Sequence, residues 1–268
     1  MNIDIDRISK QVKEKGCDCV NNLISDTNFR KVEQFLKFYK KTKGGEDRAF
    51  PVSKINYLIK LLKLDFSAIK KGLFLKKISK EYKLQEIANK VLGGKTKLVD
   101  IDAYINQKSD SNVIDWHCDQ AYSGNLKPKK FLDPNLRAIK FFVYLTDVEY
   151  KNGSFAYIPY SHKIQKAYSE LLFEKKIQYK PFWKLKNFRD QILLEPLKTM
   201  IITKVSKQLY ENFLSSTSFI EEKNGDTNKY DFEMKKGGAV IFDELGFHRG
   251  SAPTLNTRLV LRFFYKSL

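Results

Sequence analysis

The sequence predicts a mainly β protein with α-helical elaborations, whose core is a set of antiparallel sheets closed as a sandwich or barrel. Three observations predict it. From Lys97 onward the chain is a series of short runs rich in β-branched and aromatic residues. Asn152-Gly153 and Gly237-Gly238 punctuate those runs, and such turns join antiparallel neighbours rather than crossing over through helices to a parallel sheet. The first third, by contrast, places its apolar residues at helical spacing. With 268 residues, 42% apolar and 13% aromatic, the chain can build one substantial core despite 30% charged residues, which excludes an intrinsically disordered polymer.

Taken in order, residues 1–96 are expected to be mainly helical support for a single domain spanning 1–268. DTNFRKVEQFLKFYKK, with Asp26 as its N-cap, and KINYLIKLLKL both carry helical apolar spacing. The second is also basic and could lie on an anionic membrane, but the expectation is an apolar face on the core and a solvated charged face. Residues 97–160 hold the strands KLVDIDAYI, AIKFFVYLT and GSFAYIP. Residues 230–268 hold YDFEM, GGAVIFD and RLVLRFFY. Between them, 161–229 reads as a mostly helical, Lys-rich insertion, placed to cover the mouth of a barrel as a lid or substrate-selecting element.

Lys and Arg number 49 against 31 Asp and Glu, a net charge of +18 that would attract nucleic acid, anionic membranes or acidic substrates. The excess is mostly Lys spread along the whole chain, so a nucleic-acid partner is possible but not favoured. No run reaches the roughly 18 uninterrupted apolar residues of a membrane span. The N-terminal MNIDIDRISKQ lacks the basic region and apolar stretch of an export signal. Three cysteines, an odd number, read as reduced thiols without a disulfide, and the expected location is cytoplasmic.

The chemistry sits on few residues. The chain has three histidines, His117, His162 and His248. In IDWHCDQAY, His117 and Asp119 are separated by one residue, so on a strand both face one way while Cys118 faces the other. An imidazole and a carboxylate side by side, joined by a distant second imidazole, make a facial triad that holds Fe(II) and leaves positions open. His248 is the candidate partner, delivered by a Gly-Gly turn, a buried strand and a short turn in GGAVIFDELGFHRGSAPTLNTRLVLRFFY. Arg258 opens the final strand, and a guanidinium there can grip the distal carboxylate of a dicarboxylic cosubstrate.

In WHCDQAY, in YLTDVEYKNGSFAYIPYSHK and in HRGSAP followed by Arg258, the sequence resembles the phytanoyl-CoA dioxygenase family of Fe(II)/2-oxoglutarate-dependent oxygenases. The resemblance covers roughly Leu98 to Leu268, with a weaker echo in GCDCVNNLIS. It implies a double-stranded β-helix, or jelly-roll, core. It implies His117, Asp119 and His248 as both catalytic residues and metal ligands, Arg258 as the 2-oxoglutarate anchor, and Ser251 as the hydroxyl beside that Arg. Ser251 lies one residue farther from His248, and Arg258 one residue nearer, than is usual in the family. The implied activity is a dioxygenase using Fe(II), 2-oxoglutarate and dioxygen to hydroxylate a C–H bond of a small-molecule or acyl substrate, with release of succinate and carbon dioxide. Related halogenases lack the carboxylate that Asp119 supplies, which favours hydroxylation. The alternatives are an oxygenase acting on nucleic acid or protein, and a jelly-roll binding module with a structural metal.

The neighbouring residues have plainer expectations. Trp116 is read as core packing, His162 as a structural hydrogen-bonding group, and Cys17 and Cys19 as strand packing rather than metal ligands. Cys118 is read as a thiol open to oxidation near the iron. Arg262 is the reserve for Arg258 but is expected to pair with a carboxylate elsewhere. Phe142 and Tyr144 share a strand face with Lys140, and pocket wall and ordinary core packing are equally open for them.

Overall fold

The computed structural model describes residues 3–36, 49–119, 133–178 and 184–268. The end of the expected helix beyond Leu36, and Gln120–Tyr122 of the WHCDQAY motif, lie outside the described residues. Helices dominate the first third: α1 (Ile5–Lys15), α2 (Asp26–Leu36), α3 (Lys54–Leu62), α4 (Phe66–Glu81) and α5 (Leu84–Leu92). Strands β1 (Cys17–Val20) and β2 (Ala49–Phe50) lie among them. α1 begins where Asp4 accepts the Arg7 N–H at 2.9 Å, and ends where Gly16, at φ +90°, returns its N–H to the Val12 carbonyl. Asp26 opens α2 rather than capping it: the Ser25 carbonyl accepts the first helical hydrogen bond, from Phe29.

The later strands are β3 (Thr96–Asn106), β4 (Ile114–His117), β5 (Ala138–Tyr144), β6 (Phe155–Tyr157), β7 (Asp231–Phe232), β8 (Ala239–Asp243), β9 (His248–Gly250) and β10 (Arg258–Ser267). They form two antiparallel sheets, ordered β1-β8-β5-β10-β3-β2 and β4-β9-β6-β7. The insertion supplies α6 (Ser161–Phe173), α7 (Leu185–Ile192), α8 (Leu197–Val205) and α9 (Lys207–Glu222). Helical residues outnumber strand residues among those described, so the class is mixed α and β rather than mainly β.

The reason is that both sheets are apolar on two faces and each outer face needs a cover. On the six-stranded sheet, Ile101, Ile139, Phe141, Ile241, Leu261 and Phe263 face α1, α2, α4 and α5. Each such fully buried side chain contributes about 2 kcal/mol over an exposed one. On the four-stranded sheet, Trp116, Cys118, Ala156, Ile158 and Phe247 face the insertion. The described insertion helices therefore cover the outer face of that sheet, where the sequence pattern suggests a lid over a barrel mouth. Cys118 is fully buried on that outer side, turned away from the face that carries His117.

The inner faces meet in an aromatic layer. Phe142 of β5 and Phe242 of β8 pack against Phe155 of β6 at 5.7 and 4.5 Å between ring centroids. Phe242 also reaches His248 of β9 at 5.0 Å. This layer positions the site. No described helix is long and apolar enough to cross a membrane.

Candidate metal centre

Strands β4 and β9 pair so that His117 stands opposite His248, with the ring centroids 4.3 Å apart. The register shifts between Ile114 and His117, and beyond it Trp116 turns to the outer face and His117 inward. Asp119 follows two residues later, just past the strand. Its Oδ2 lies 3.3 Å from His248 Nε2, and its Oδ1 lies 3.9 Å from His117 Nε2. One ligand atom from each of the three residues falls within 4.8 Å of the others.

The ring orientations are set by the backbone. His117 Nδ1 donates to the Asp115 carbonyl at 2.7 Å, and His248 Nδ1 donates to the Gly246 carbonyl at 2.9 Å. A carbonyl can only accept, so each Nδ1 carries a proton, which leaves Nε2, on the side of Asp119, as the nitrogen for a metal. Burial, then the neighbouring His248, pushes the His117 imidazole down to about 4, so it is neutral and able to bind at neutral pH. Burial alone would raise the Asp119 carboxyl, but the Lys140 ammonium, then His248 and His117, hold it well below the usual carboxylate range. Octahedral ligands about 2.1 Å from a divalent ion lie roughly 3 Å apart when adjacent, so separations of up to 4.8 Å need to close by less than about 2 Å for the three to share one. The donor set fits a metal of the two-histidine, one-carboxylate kind.

In the sequence Lys140 stands out only as a strand-face neighbour of Phe142 and Tyr144, yet it touches the site directly. Its Nζ lies 2.5 Å from Asp119 Oδ2 and 3.5 Å from Glu244 Oε2, and its side chain is 7% exposed. Burial raises the Glu244 carboxyl, opposed by Lys140 and reinforced by Asp119. The available signal was the lone charge inside the otherwise apolar run AIKFFVY, since a lysine is seldom buried without a partner.

Arg258 is buried on the inner face, where β10 pairs with β3. Its Nη1 donates to Asn106 Oδ1 at 3.2 Å, its guanidinium lies 5.7 Å from the Tyr144 ring centre, and its buried Nε has no acceptor among the described residues. Gly153, at φ +79°, passes directly over it: a Cβ there would come within 2.9 Å of Arg258 Cδ. Arg262 is committed elsewhere, to Asp102 at 2.5 Å and Asp100 at 3.0 Å.

Ser251 is not brought to this face. It stands opposite Ser154, in register with the outward pair Ala156 and Arg249, and its hydroxyl lies 2.8 Å from that of Ser154. Ser154 in turn bonds Asp231, which Arg249 holds at 2.7 Å. The expected place of Ser251 beside Arg258 is corrected by strand parity: one residue of displacement moves a side chain to the opposite face, and Gly250 takes the inward position. His162 lies apart on α6, with Nε2 donating to the Lys13 carbonyl at 3.2 Å. Cys17 is buried between the sheets, and Cys19 is exposed.

Residues 12–258 match the family model Phytanoyl-CoA dioxygenase (PhyH), a span that holds all three candidate ligands and ends on Arg258. The chain belongs to the phytanoyl-CoA dioxygenase family.

Solved structures share the fold of this family member at low sequence identity. SnoN, a non-heme α-ketoglutarate-dependent epimerase from nogalamycin biosynthesis, is 11% identical with a TM-score of 0.54, covering 97% of this chain and 81% of its own. EvdO2 from Micromonospora carbonacea var. aurantiaca, complexed with 2-oxoglutarate, is 12% identical with a TM-score of 0.53, covering 100% and 92%. SnoK, an α-ketoglutarate-dependent carbocyclase from nogalamycin biosynthesis, is 14% identical with a TM-score of 0.54, covering 99% and 85%. Among curated protein sequences none matches significantly.

Proposed function

We propose that this phytanoyl-CoA dioxygenase family member is an Fe(II)- and 2-oxoglutarate-dependent dioxygenase that hydroxylates a C–H bond of a small-molecule or acyl substrate, releasing succinate and carbon dioxide. One observation carries the reading: two imidazoles, each donating its Nδ1 proton to a backbone carbonyl, direct their Nε2 atoms at one ionised carboxylate. Two histidines and one carboxylate on one side of an ion leave the other side for a cosubstrate and an oxidant. The two facing antiparallel sheets support reading the core as a double-stranded β-helix.

When bound, the iron supplies dioxygen activation coupled to oxidative decarboxylation of 2-oxoglutarate. The residues of the chain do the rest. His117 and His248 bind through Nε2, Asp119 through a carboxylate oxygen, and Lys140 with Glu244 behind it holds that carboxylate ionised and oriented. Arg258 offers its unused donors to the distal carboxylate of 2-oxoglutarate, with Asn106 fixing one arm of the fork. The aromatic layer of Phe142, Phe155 and Phe242 keeps water from the inner side of the site. SnoN is an epimerase and SnoK a carbocyclase, so the same fold serves other oxidative outcomes. Hydroxylation is the reading favoured by the carboxylate ligand Asp119.

The test needs no substrate. Under anaerobic conditions the wild type with Fe(II) and 2-oxoglutarate is expected to develop the visible charge-transfer band of a chelated complex. His117→Ala should abolish it and Arg258→Ala should require more 2-oxoglutarate. A well-folded wild type with no band at saturating iron and cosubstrate would replace this reading with a binding module that uses its metal structurally.

A further inference from the structure

Helix α3 is amphipathic with its apolar side turned outward. Ile55, Leu58, Ile59, Leu61 and Leu62 share one arc of the helix, and that arc faces solvent, with exposures from 45% at Ile59 to 76% at Leu62. None of its residues is buried. The less exposed side carries Tyr57 and Lys60, the latter paired with Asp65 at 3.2 Å. The apolar surface continues through Leu64 and Phe66 to Leu73 on α4, against which α3 packs. Eight of the fourteen exposed large hydrophobic side chains among the described residues lie in this short stretch, so it is a concentrated patch rather than ordinary scatter.

The patch is also strongly basic. From Ser53 to Lys80 the sequence has eight lysines and a single acid, Asp65. Leu62 and Leu64, 76% and 72% exposed, stand at the tip of the α3–α4 connection, where Leu64 takes a positive φ of 53°. A projecting apolar tip ringed by lysines, on a molecule of net charge +18, matches a surface that is apolar inside and negative outside. A second copy of the chain is the wrong occupant, because it would bring the same lysines face to face.

We infer that the α3–α4 surface docks the protein peripherally on an anionic lipid bilayer, with the leucines entering the acyl boundary and the lysines meeting the headgroups. The lysine stems can lie along the apolar surface while their ammonium groups reach the phosphates. The metal centre plays no part in this contact.

The test is sedimentation of the full chain with vesicles of phosphatidylcholine alone and of phosphatidylcholine with phosphatidylserine, at low and raised salt. The protein is expected to bind the phosphatidylserine vesicles selectively and to be released by salt. Leu58→Ser with Leu62→Ser should weaken binding by at least roughly tenfold, and Lys54→Glu with Lys63→Glu by a similar factor, with unchanged melting temperatures. Absence of binding to phosphatidylserine vesicles overturns the inference. So does a dimer in analytical ultracentrifugation that the leucine pair abolishes while neither vesicle is bound, which would assign the surface to a second copy. Equal, salt-insensitive binding to both vesicles overturns the part given to the lysines.

Discussion

Lys140 Nζ lies 2.5 Å from Asp119 Oδ2, so a buried cation is bonded to the carboxylate that completes the candidate metal centre. The pair needs both members. Removing one charge from such a site typically costs about 3–5 kcal/mol, because the other is left uncompensated. Lys140→Met is therefore expected to destabilise the metal-free protein by about 3 kcal/mol. A divalent ion would then supply the missing positive charge, so added metal should raise the melting temperature more in Lys140→Met than in the wild type. Equal metal-induced shifts in the two proteins would remove Lys140 from this role.

The two arginines of β10 are expected to separate cleanly. Arg258→Gln should raise the 2-oxoglutarate concentration needed for half-maximal signal by roughly tenfold to a hundredfold, since a charge-assisted pair is worth about 1.5–3 kcal/mol. Arg262→Gln should lower stability by stranding Asp102 and Asp100, and leave that concentration unchanged. Titration of the charge-transfer band in both variants decides it. The reverse pattern would make Arg262 the anchor.

Gly153→Ala tests the same anchor from the other side. The positive φ of Gly153 disfavours any side chain by about 1 kcal/mol, and the new Cβ would press on Arg258 Cδ. The variant is expected to be modestly less stable and to need more 2-oxoglutarate. A loss of stability alone, with the cosubstrate titration unmoved, would mean that Arg258 relaxes without consequence.

Ser251→Ala is expected to cost about 1 kcal/mol through the lost hydrogen bond to Ser154, with no change in the 2-oxoglutarate titration. A weakened titration in a protein of wild-type stability would return Ser251 to the cosubstrate.

Two buried histidines make the metal-free protein sensitive to mild acid. Burial pushes His162 below its ordinary value and His117 down to about 4, so the unfolded chain takes up protons near pH 6.5 that the folded chain refuses. Stability is therefore complete above that pH and falls as the pH drops toward 4, by roughly 3 kcal/mol for His117 alone. Urea unfolding at several pH values should show this slope, and His117→Gln should flatten it. An unchanged slope in that variant would assign the acid sensitivity to other groups.

Much of the site is legible in the amino-acid sequence. His117 and Asp119 at a spacing of two, His248 after a Gly-Gly turn and Arg258 at the head of the last strand are local facts, because strand alternation converts spacing directly into a shared face. Ser251 comes from the family resemblance alone, and the face it occupies depends on the register of β9 against β6, which is a pairing between segments distant in the chain. Lys140 is visible as an isolated charge in an apolar strand, but its partner Asp119 lies just past a strand of the other sheet, and the pairing is made only when the two sheets face each other.

What the amino-acid sequence determined by itself was the alternation of helical and strand segments, the order of the motifs and the identity of the candidate metal-ligating groups. These depend on propensity, periodicity and the chemistry of single side chains. The tertiary structure decided which face each element buries. It left the apolar arc of α3 exposed where amphipathicity alone predicted a core contact, and it laid the insertion on the outside of the four-stranded sheet. Both outcomes turn on which apolar surfaces find each other in three dimensions, a choice set by packing between distant segments and not by the pattern within any one of them.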